Sequence, residues 1–322
     1  MKPSYFAVAL ALLIAYAAYP FADVAAQAAA QASARQSTAY TVTVGNLNRT
    51  YYLYVPSNAS KDRPSPLVLM FHGGGGMPAY AEKDSKFSEL AEREGFLVAY
   101  PQGFEKSWND GRGDTAVAAQ RDNIDDVAFV GALIDDISKH HNVDSKRVYA
   151  TGISNGAMFS HYLAAKLSSR IAAIAPVVGG MPEPLVKVFN PEGAISVLIF
   201  NGTADPLVPY QGGDITAFGK TRGRIISTDG AAKKWATQAR CDRDPIQQDV
   251  IDKNPNDQCI VKKISYGNCQ GGAEVIVYRM EGGGHTWPNG AQYLPERLIG
   301  PVCRELNGSE LIWDFFKRHA KP

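Results

Sequence analysis

The sequence predicts an α/β protein whose central sheet is mostly parallel and flanked by helices. Two observations support this fold class. Short β-rich runs alternate along the chain with stretches of helical periodicity. Several of those runs are apolar without interruption, as expected for strands buried on both faces of a parallel sheet. The 322 residues are 45% hydrophobic and 20% charged, which is the composition of an ordinary globular protein.

The N-terminal 26 residues predict a secretory signal peptide. Lys2 precedes an apolar run, residues 5–18, that is shorter than the roughly 20 residues a spanning helix needs. Val24 and Ala26 satisfy the small-residue rule at a cleavage site. An uncleaved anchor is the alternative interpretation. We expect an exported protein, extracellular or periplasmic, that has no membrane segment after cleavage.

The rest of the chain is interpreted as a leader and one domain. Residues 27–38, rich in Ala, Gln and Ser, are expected to be disordered, and residues 39–322 to form a single domain. No Pro/Ser/Thr-rich linker divides the latter. The formal net charge of +1 and the lack of a basic stripe argue against nucleic acid or an anionic membrane as a partner.

The first predicted strands are a hairpin and a buried strand. Residues 40–44 (YTVTV) and 49–56 (RTYYLYVP) alternate polar and apolar side chains around Gly45, which predicts an antiparallel hairpin. Residues 66–76 (PLVLMFHGGGG) carry five apolar residues in a row and then a glycine loop, which predicts a strand buried on both faces. The runs GFLVAYPQG and KRVYATG predict two more strands of this kind.

Helical patterns separate the strands. Residues 123–141 place four apolar side chains on one helical face. These are Val127, Val130, Ile134 and Ile137. NGAMFSHYLAAKL predicts a second helix, and the alternation continues with strand-like AAIAPVVGG, AISVLIFNGTAD and AEVIVYRM and helix-like DGAAKKWATQA and SELIWDFFKRH. Residues 241–259 look irregular and are expected to form a surface excursion.

The stretch TGISNGA, residues 151–157, predicts a nucleophile elbow. The pattern G-x-S-x-G is common by itself, but here it lies between a buried strand and a helix. That setting holds a serine in a strained turn with its hydroxyl exposed. Gly152 and Gly156 give the tight turn its room, and the helix N-terminus that follows stabilises negative charge. Ser154 is therefore the predicted nucleophile.

A serine nucleophile needs a base and an acid that orients the base. His285 follows an apolar strand in a loop with three glycines and is the predicted base. His161 lies two turns along the helix that starts at the elbow and cannot reach Ser154, whereas His72 is expected to hydrogen-bond the glycine loop. Asp205 follows a strong strand in a turn and is the predicted acid. The chain order Ser, Asp, His is typical of α/β-hydrolases and not of chymotrypsin-like or subtilisin-like proteases.

The predicted oxyanion hole consists of two backbone N–H groups. One belongs to Asn155, the residue after the nucleophile. The other comes from the glycine loop, where Gly74 is our choice and Gly73 and Gly75 remain open alternatives. The mechanism that these groups predict requires no metal and no organic cofactor.

Four cysteines occur, all in the last third of the chain, and they form no C-x-x-C pair, which argues against a zinc site. In an exported protein an even number favours two disulfides, and four buried thiols are the alternative. The residues are Cys241, Cys259, Cys269 and Cys303.

These motifs together resemble the secreted esterases grouped with polyhydroxybutyrate depolymerases and feruloyl esterases (LpqC-like). The matching stretches include FHGGGG, WNDGRG, RVYATGISNGAM, NGTADPLVPYQGG and GGGHTWPNG, within a resemblance that covers about residues 40–318. The resemblance implies the catalytic roles already given to Ser154, Asp205 and His285. One departure is Asn201, which stands where a histidine is expected and should alter only hydrogen bonding around the site.

The resemblance also implies a disulfide pairing and a substrate-binding region. Cys241–Cys269 is the usual pair, so Cys259–Cys303 is the remaining one. The SWNDGRG loop is expected near the mouth of the active site, where Trp108 and Trp287 would supply apolar walls; a structural turn is the alternative.

We expect a serine carboxylic-ester hydrolase for short-acyl or aromatic, feruloyl-type esters. No polymer-binding module follows the last helix, which favours soluble over crystalline substrates. The alternatives are an extracellular polyhydroxybutyrate depolymerase and a serine acyltransferase. A non-catalytic binding protein on the same scaffold is a further alternative, against which the complete Ser, Asp and His set argues.

Overall fold

The computed structural model of the chain describes residues 37–217 and 219–322. The predicted signal peptide, residues 1–26, lies outside the described residues, as does nearly all of the predicted leader. Thr38 already belongs to the first strand and pairs with Leu53. The first strand of the described residues therefore starts one residue before the expected domain boundary.

Twelve strands occur in the described residues. They are β1 (Thr38–Val44), β2 (Leu47–Tyr54), β3 (Ser65–Phe71), β4 (Leu97–Pro101), β5 (Val143–Ile153), β6 (Ala173–Val177), β7 (Ser196–Gly202), β8 (Gly213–Ala217), β9 (Lys220–Ile225), β10 (Ile246–Ile251), β11 (Ile260–Tyr266) and β12 (Val275–Glu281). The α-helices of the same residues are α1 (Pro78–Ser85), α2 (Phe87–Glu94), α3 (Ala118–Arg121), α4 (Asp126–His140), α5 (Asn155–Lys166), α6 (Glu183–Lys187), α7 (Thr228–Gln238), α8 (Glu296–Ile299) and α9 (Gly308–Phe316).

Ten strands form one sheet in the order β1-β2-β4-β3-β5-β6-β7-β12-β11-β10. The six strands from β4 to β12 in this order pair in parallel. Antiparallel pairs flank them, with β1 and β2 at one side and β11 and β10 at the other. The predicted mostly parallel sheet and its N-terminal hairpin are confirmed.

The central strands are buried on both faces because helices cover the sheet on two sides. Every residue of β3 is buried. Leu67 and Leu69 face a core that contains Phe129 of α4 and Trp235 of α7. The alternate residue Val68 faces a second core, with α2 and α9. The two-residue period of a strand thus explains why an unbroken apolar run is needed here.

Two hairpin elements differ from the sequence-based expectation. The stretch expected to be irregular contains β10, which pairs with β11 as an edge strand. Its sequence IQQDVI lacks regular alternation because nearly all of its side chains are exposed. The hairpin β8–β9, outside the main sheet, was not predicted.

The cysteines form the disulfides Cys241–Cys269 and Cys259–Cys303, with sequence separations of 28 and 44 residues. These are the pairs that the resemblance implied. Across the described ranges, we find no helix with both the length and the apolar character needed to cross a bilayer.

Candidate active site

Ser154 lies in a sharp turn between β5 and α5. Its backbone has φ 57° and ψ −119°, a conformation that non-glycine residues rarely adopt. Its N–H donates to Val177 O at 3.0 Å. The glycines on either side are required by contact, because a Cβ on Gly152 or Gly156 would lie 2.6 or 2.4 Å from Phe71 O. The strand–turn–helix predicted from the sequence is therefore present, with the serine at the carboxyl end of a central strand.

Asp205 and His285 form a buried pair. Asp205 follows β7 and His285 follows β12, the neighbouring parallel strand, so the two loops emerge at the same edge of the sheet. His285 Nδ1 and Asp205 Oδ2 are 2.7 Å apart. Asp205 Oδ1 accepts the N–H groups of Leu207 and Val208 at 2.8 and 2.9 Å. A carboxylate that only accepts leaves His285 with its proton on Nδ1 and a free lone pair on Nε2.

A shared apolar cluster links the segment after Asp205 to the helix that starts at the elbow. Val208, three residues after Asp205, packs in one apolar cluster with Met158, one turn after Ser154 on α5. Within the described residues, Ser154 Oγ has no hydrogen-bond partner. A hydrogen bond between Ser154 Oγ and His285 is therefore not among the contacts of the described residues.

The glycine loop after β3 borders the elbow. A Cβ on Gly73 would lie 3.5 Å from Ser154 Cβ, and one on Gly74 would lie 3.7 Å from Asn155 Cβ. The N–H groups of Gly73, Gly74 and Asn155 have no acceptor among the described residues. Gly75 N–H, by contrast, donates to Lys106 O at 2.8 Å. An oxyanion hole needs two unpaired donors beside the serine. Gly75 does not supply one, whereas Gly74 and the alternative Gly73 both have an unpaired N–H.

His72 holds the glycine loop. Its Nδ1 lies 2.8 Å from Gly73 O, and its Nε2 accepts Gly103 N–H at 3.0 Å. Since Nε2 accepts, the proton is on Nδ1 and the ring is neutral. Burial lowers the pKa of His72 to about 4, which agrees with that state. His72 therefore has the structural role expected from the sequence.

Asn201, which stands where the resemblance leads us to expect a histidine, has protein partners for both ends of its side-chain amide. Its Oδ1 accepts Gly179 N–H at 3.1 Å, and its Nδ2 donates to Thr228 Oγ1 at 2.8 Å. Gly179 in turn packs on the elbow, since a Cβ there would lie 2.6 Å from Ser154 O.

Trp108 and Trp287 are both buried, which does not favour the apolar walls expected of them. Trp108 is completely buried and stacks on Phe159, with the ring centroids 5.3 Å apart. Trp287 is 2% exposed, and its Nε1 donates to Ser309 Oγ at 3.0 Å. Each indole N–H has an internal acceptor, which allows the ring to be buried and cannot be predicted from the local sequence.

Two exposed tyrosines, Tyr293 and Tyr80, belong to segments that are joined by a hydrogen bond. Tyr293 is 48% exposed, and its hydroxyl donates to His285 O at 3.1 Å. Tyr80 is 63% exposed on α1, the helix after the glycine loop. Asp84, one turn further along α1, accepts Ala291 N–H at 2.8 Å, which joins this helix to the segment that carries Tyr293. Neither tyrosine lies in a motif, so sequence reasoning missed both.

A strained serine after a parallel strand, an acid after a second and a histidine after a third define the α/β-hydrolase class. Comparison with known proteins agrees. A family model described as "Esterase PHB depolymerase" matches residues 49–197. "Putative esterase NocK" of Nocardia uniformis subsp. tsuyamanensis is 30% identical over 87% of this chain and 82% of its own. The chain belongs to this family of esterases.

Two further comparisons differ in what they cover. "Feruloyl esterase B" of Piromyces equi is 29% identical over 83% of this chain but only 44% of its own length. This chain therefore spans less than half of that relative. The structure of an acetyl xylan esterase from Aspergillus awamori superposes with a TM-score of 0.58 at 17% identity, covering 87% of this chain and 99% of that one. At that identity the likeness concerns the fold alone.

Proposed function

We propose that the protein is a serine carboxylic-ester hydrolase that works by two-step acyl transfer. Ser154 Oγ attacks the ester carbonyl carbon while His285 Nε2 takes its proton. The carbonyl π-electrons move to the oxygen, which the N–H groups of Gly74 and Asn155 stabilise. Collapse of this adduct expels the alcohol, which receives the proton from His285.

Water completes the cycle by the same route. His285 removes a proton from water, the hydroxide attacks the acyl-enzyme, and the second adduct releases the acid and the free Ser154 hydroxyl. Asp205 stabilises the imidazolium in both steps and keeps the Nδ1 proton in place. The observation that carries this proposal is the 2.7 Å contact between His285 Nδ1 and Asp205 Oδ2. The unpaired N–H groups of Asn155 and of the glycine loop next to Ser154 support it.

Short-acyl or aromatic, feruloyl-type esters are the substrates we propose. One relative is named a feruloyl esterase. Leu207 is partly exposed and packs on a small buried cluster of Met158, Val208, Ile215 and Ile225, so we propose it as an apolar contact for a short acyl group. Tyr293, whose hydroxyl bonds His285 O, and Tyr80 on α1 are both exposed, and flat aromatic groups stack on such rings.

A polyester is the second candidate substrate, because the matching family model carries the depolymerase description. Rates on methyl ferulate, p-nitrophenyl acetate, p-nitrophenyl butyrate and a hydroxybutyrate oligomer rank the candidates directly. A preference for the oligomer and clearing of a polyhydroxybutyrate film would favour the polyester.

We also propose that the protein is exported. The two disulfides support this, since such bonds persist in oxidising compartments. Cell fractionation followed by N-terminal sequencing of the mature protein tests it, and recovery of an uncleaved chain in the cytoplasm would contradict it.

Covalent labelling tests the mechanism. Diethyl p-nitrophenyl phosphate should modify Ser154 stoichiometrically and abolish esterase activity, with the adduct found on that residue by peptide mass spectrometry. Ser154→Ala should lower kcat by several orders of magnitude. Ser160→Ala is the matched control, because Ser160 is a buried serine on the same helix that bonds Gly156 O at 2.9 Å. If Ser154→Ala keeps more than about a tenth of the activity, the mechanism is wrong.

A further inference from the structure

The side chain of Asn155 is held by the loop of residues 107–113, the SWNDGRG motif to which the mechanism gives no role. Trp108 N–H donates to Asn155 Oδ1 at 2.9 Å, and Asn155 Nδ2 donates to Trp108 O at 3.1 Å. The second amide hydrogen goes to Asp110 Oδ2 at 2.7 Å. Both donors of the amide and its oxygen are thus bonded to one loop, in a buried site.

Asp110 is itself fixed from several sides. It is 0% exposed, and its Oδ1 accepts Gln120 Nε2 and Arg112 N–H, each at 3.1 Å. Arg112 Nη1 lies 3.3 Å from Asp110 Oδ2, which balances the buried charge. A carboxylate with this many partners has one position, and so does the amide that donates to it.

The same loop also holds the other half of the oxyanion hole. Trp108 Nε1 donates to His72 O at 2.9 Å, just before the glycine loop. Asn155 is the first residue of α5, so the helix provides no hydrogen-bond acceptor for its N–H. The orientation of that N–H therefore depends on the turn behind it and on the anchored side chain.

We propose that Asp110 is a positioning residue of the oxyanion hole. It acts through Asn155, and with Trp108 it fixes the separation between the Asn155 and Gly74 donors. This inference rests on the proposed function of Ser154. It assigns the SWNDGRG loop to transition-state stabilisation, without any contact between Asp110 and substrate.

Asp110→Asn tests the proposal on p-nitrophenyl acetate. We expect kcat to fall by about 10- to 100-fold with KM changed less than about threefold, because complete loss of an oxyanion donor costs about 10²–10³. Phenylboronic acid, whose serine adduct places an oxygen in the hole, should bind more weakly by a similar factor.

Asp126→Asn is the matched control. Asp126 is also buried, pairs with Arg49 at 2.7 Å and accepts Asn109 N–H from the same loop at 2.8 Å, but it does not touch Asn155. The Asp126→Asn variant should lose about as much free energy of unfolding as Asp110→Asn, while its kcat and its boronate affinity stay unchanged. Equal kcat losses in the two variants would overturn the proposal, since a general loosening of the loop would then explain both.

A double-mutant cycle gives a second measurement. If Asp110 acts through Asn155, Asp110→Asn should add little to the kcat loss of Asn155→Ala, and additive losses would refute the proposal. If Asp110→Asn does not fold, Asn155→Ala tests the proposal by itself. Unchanged kcat and unchanged boronate affinity in Asn155→Ala would show that the anchored Asn155 side chain does not position the oxyanion hole. Failure of the proposed function is distinguishable, since Ser154 would then escape labelling in the unaltered protein.

Discussion

Removing the Cys259–Cys303 disulfide should lower activity as well as stability. This disulfide holds the segment that supports the backbone of His285, the proposed base. Gly284 N–H donates to Pro301 O at 2.8 Å, His285 N–H donates to Ile299 O, and Asn289 N–H donates to Cys303 O at 2.9 Å. Three main-chain hydrogen bonds thus connect residues 284–289, called the base loop here because they include His285, to residues 299–303, next to the disulfide.

The Cys241–Cys269 disulfide is an internal control. The chain-entropy relation gives about 4 kcal/mol for the 44-residue separation and about 3.6 kcal/mol for the 28-residue one. Loss of either bond should therefore destabilise the fold by a similar amount. Cys241 and Cys269 lie beside the end of α7 and the start of the turn at Gln270, and none of their hydrogen bonds reaches the base loop.

The experiment compares Cys259→Ala/Cys303→Ala with Cys241→Ala/Cys269→Ala. Urea unfolding should show losses of about 2–4 kcal/mol in both. At a temperature where both are fully folded, kcat/KM on p-nitrophenyl acetate should fall about tenfold or more only in the first, since small misplacements of a catalytic group are costly. Equal activities in the two variants, or losses that simply follow stability, would refute this reasoning.

Other expectations follow from single residues. Asp205→Asn should lower kcat severely at unchanged fold, measured by kinetics beside circular dichroism, because the His285 tautomer is no longer fixed. Tyr80→Ala should raise KM for methyl ferulate more than KM for p-nitrophenyl acetate and leave Tm unchanged. If KM for methyl ferulate is the same in the variant and the unaltered protein, Tyr80 does not contact the aromatic ester. Burial lowers the pKa of His72 to about 4 and of His161 to about 3, so both are neutral when folded. In the unfolded chain both histidines have a pKa of about 6.5 and become protonated below that pH. The free energy of unfolding should therefore fall as the pH falls from about 6.5 towards 4, and it should fall less steeply in His72→Gln. Trp287→Ala should lower Tm by several degrees because it removes a buried ring. The ratio of KM for methyl ferulate to KM for p-nitrophenyl acetate should change little, whereas loss of a residue that lines the substrate pocket would change it.

The sequence predicted the parts of the site that depend on local patterns. Ser154, Gly152 and Gly156 are neighbours in the chain, so the elbow is visible as a motif between a strand and a helix. Asp205 and His285 are 80 residues apart, yet each could be chosen because an acid or a base must follow a strand in this fold.

What the sequence did not predict depends on contacts between distant segments. The burial of Trp108 requires acceptors at His72 and a stacking partner at Phe159, and neither is visible from the loop itself. Asp110 has no acid–base pattern around it, so only its 2.7 Å contact with Asn155 reveals a task. The polar strand β10 exists because β11 pairs with it.

The backbone conformation that exposes Ser154, the proposed nucleophile, lowers the stability of the fold. Ser154 has φ 57°, and Val178, a buried β-branched residue on the adjacent strand end, has φ 45°. Such conformations cost on the order of 1–3 kcal/mol each. Ser154→Gly should therefore melt at a higher temperature than Ser154→Ala although both are inactive, and stabilising substitutions at this edge of the sheet should tend to be the ones that abolish catalysis.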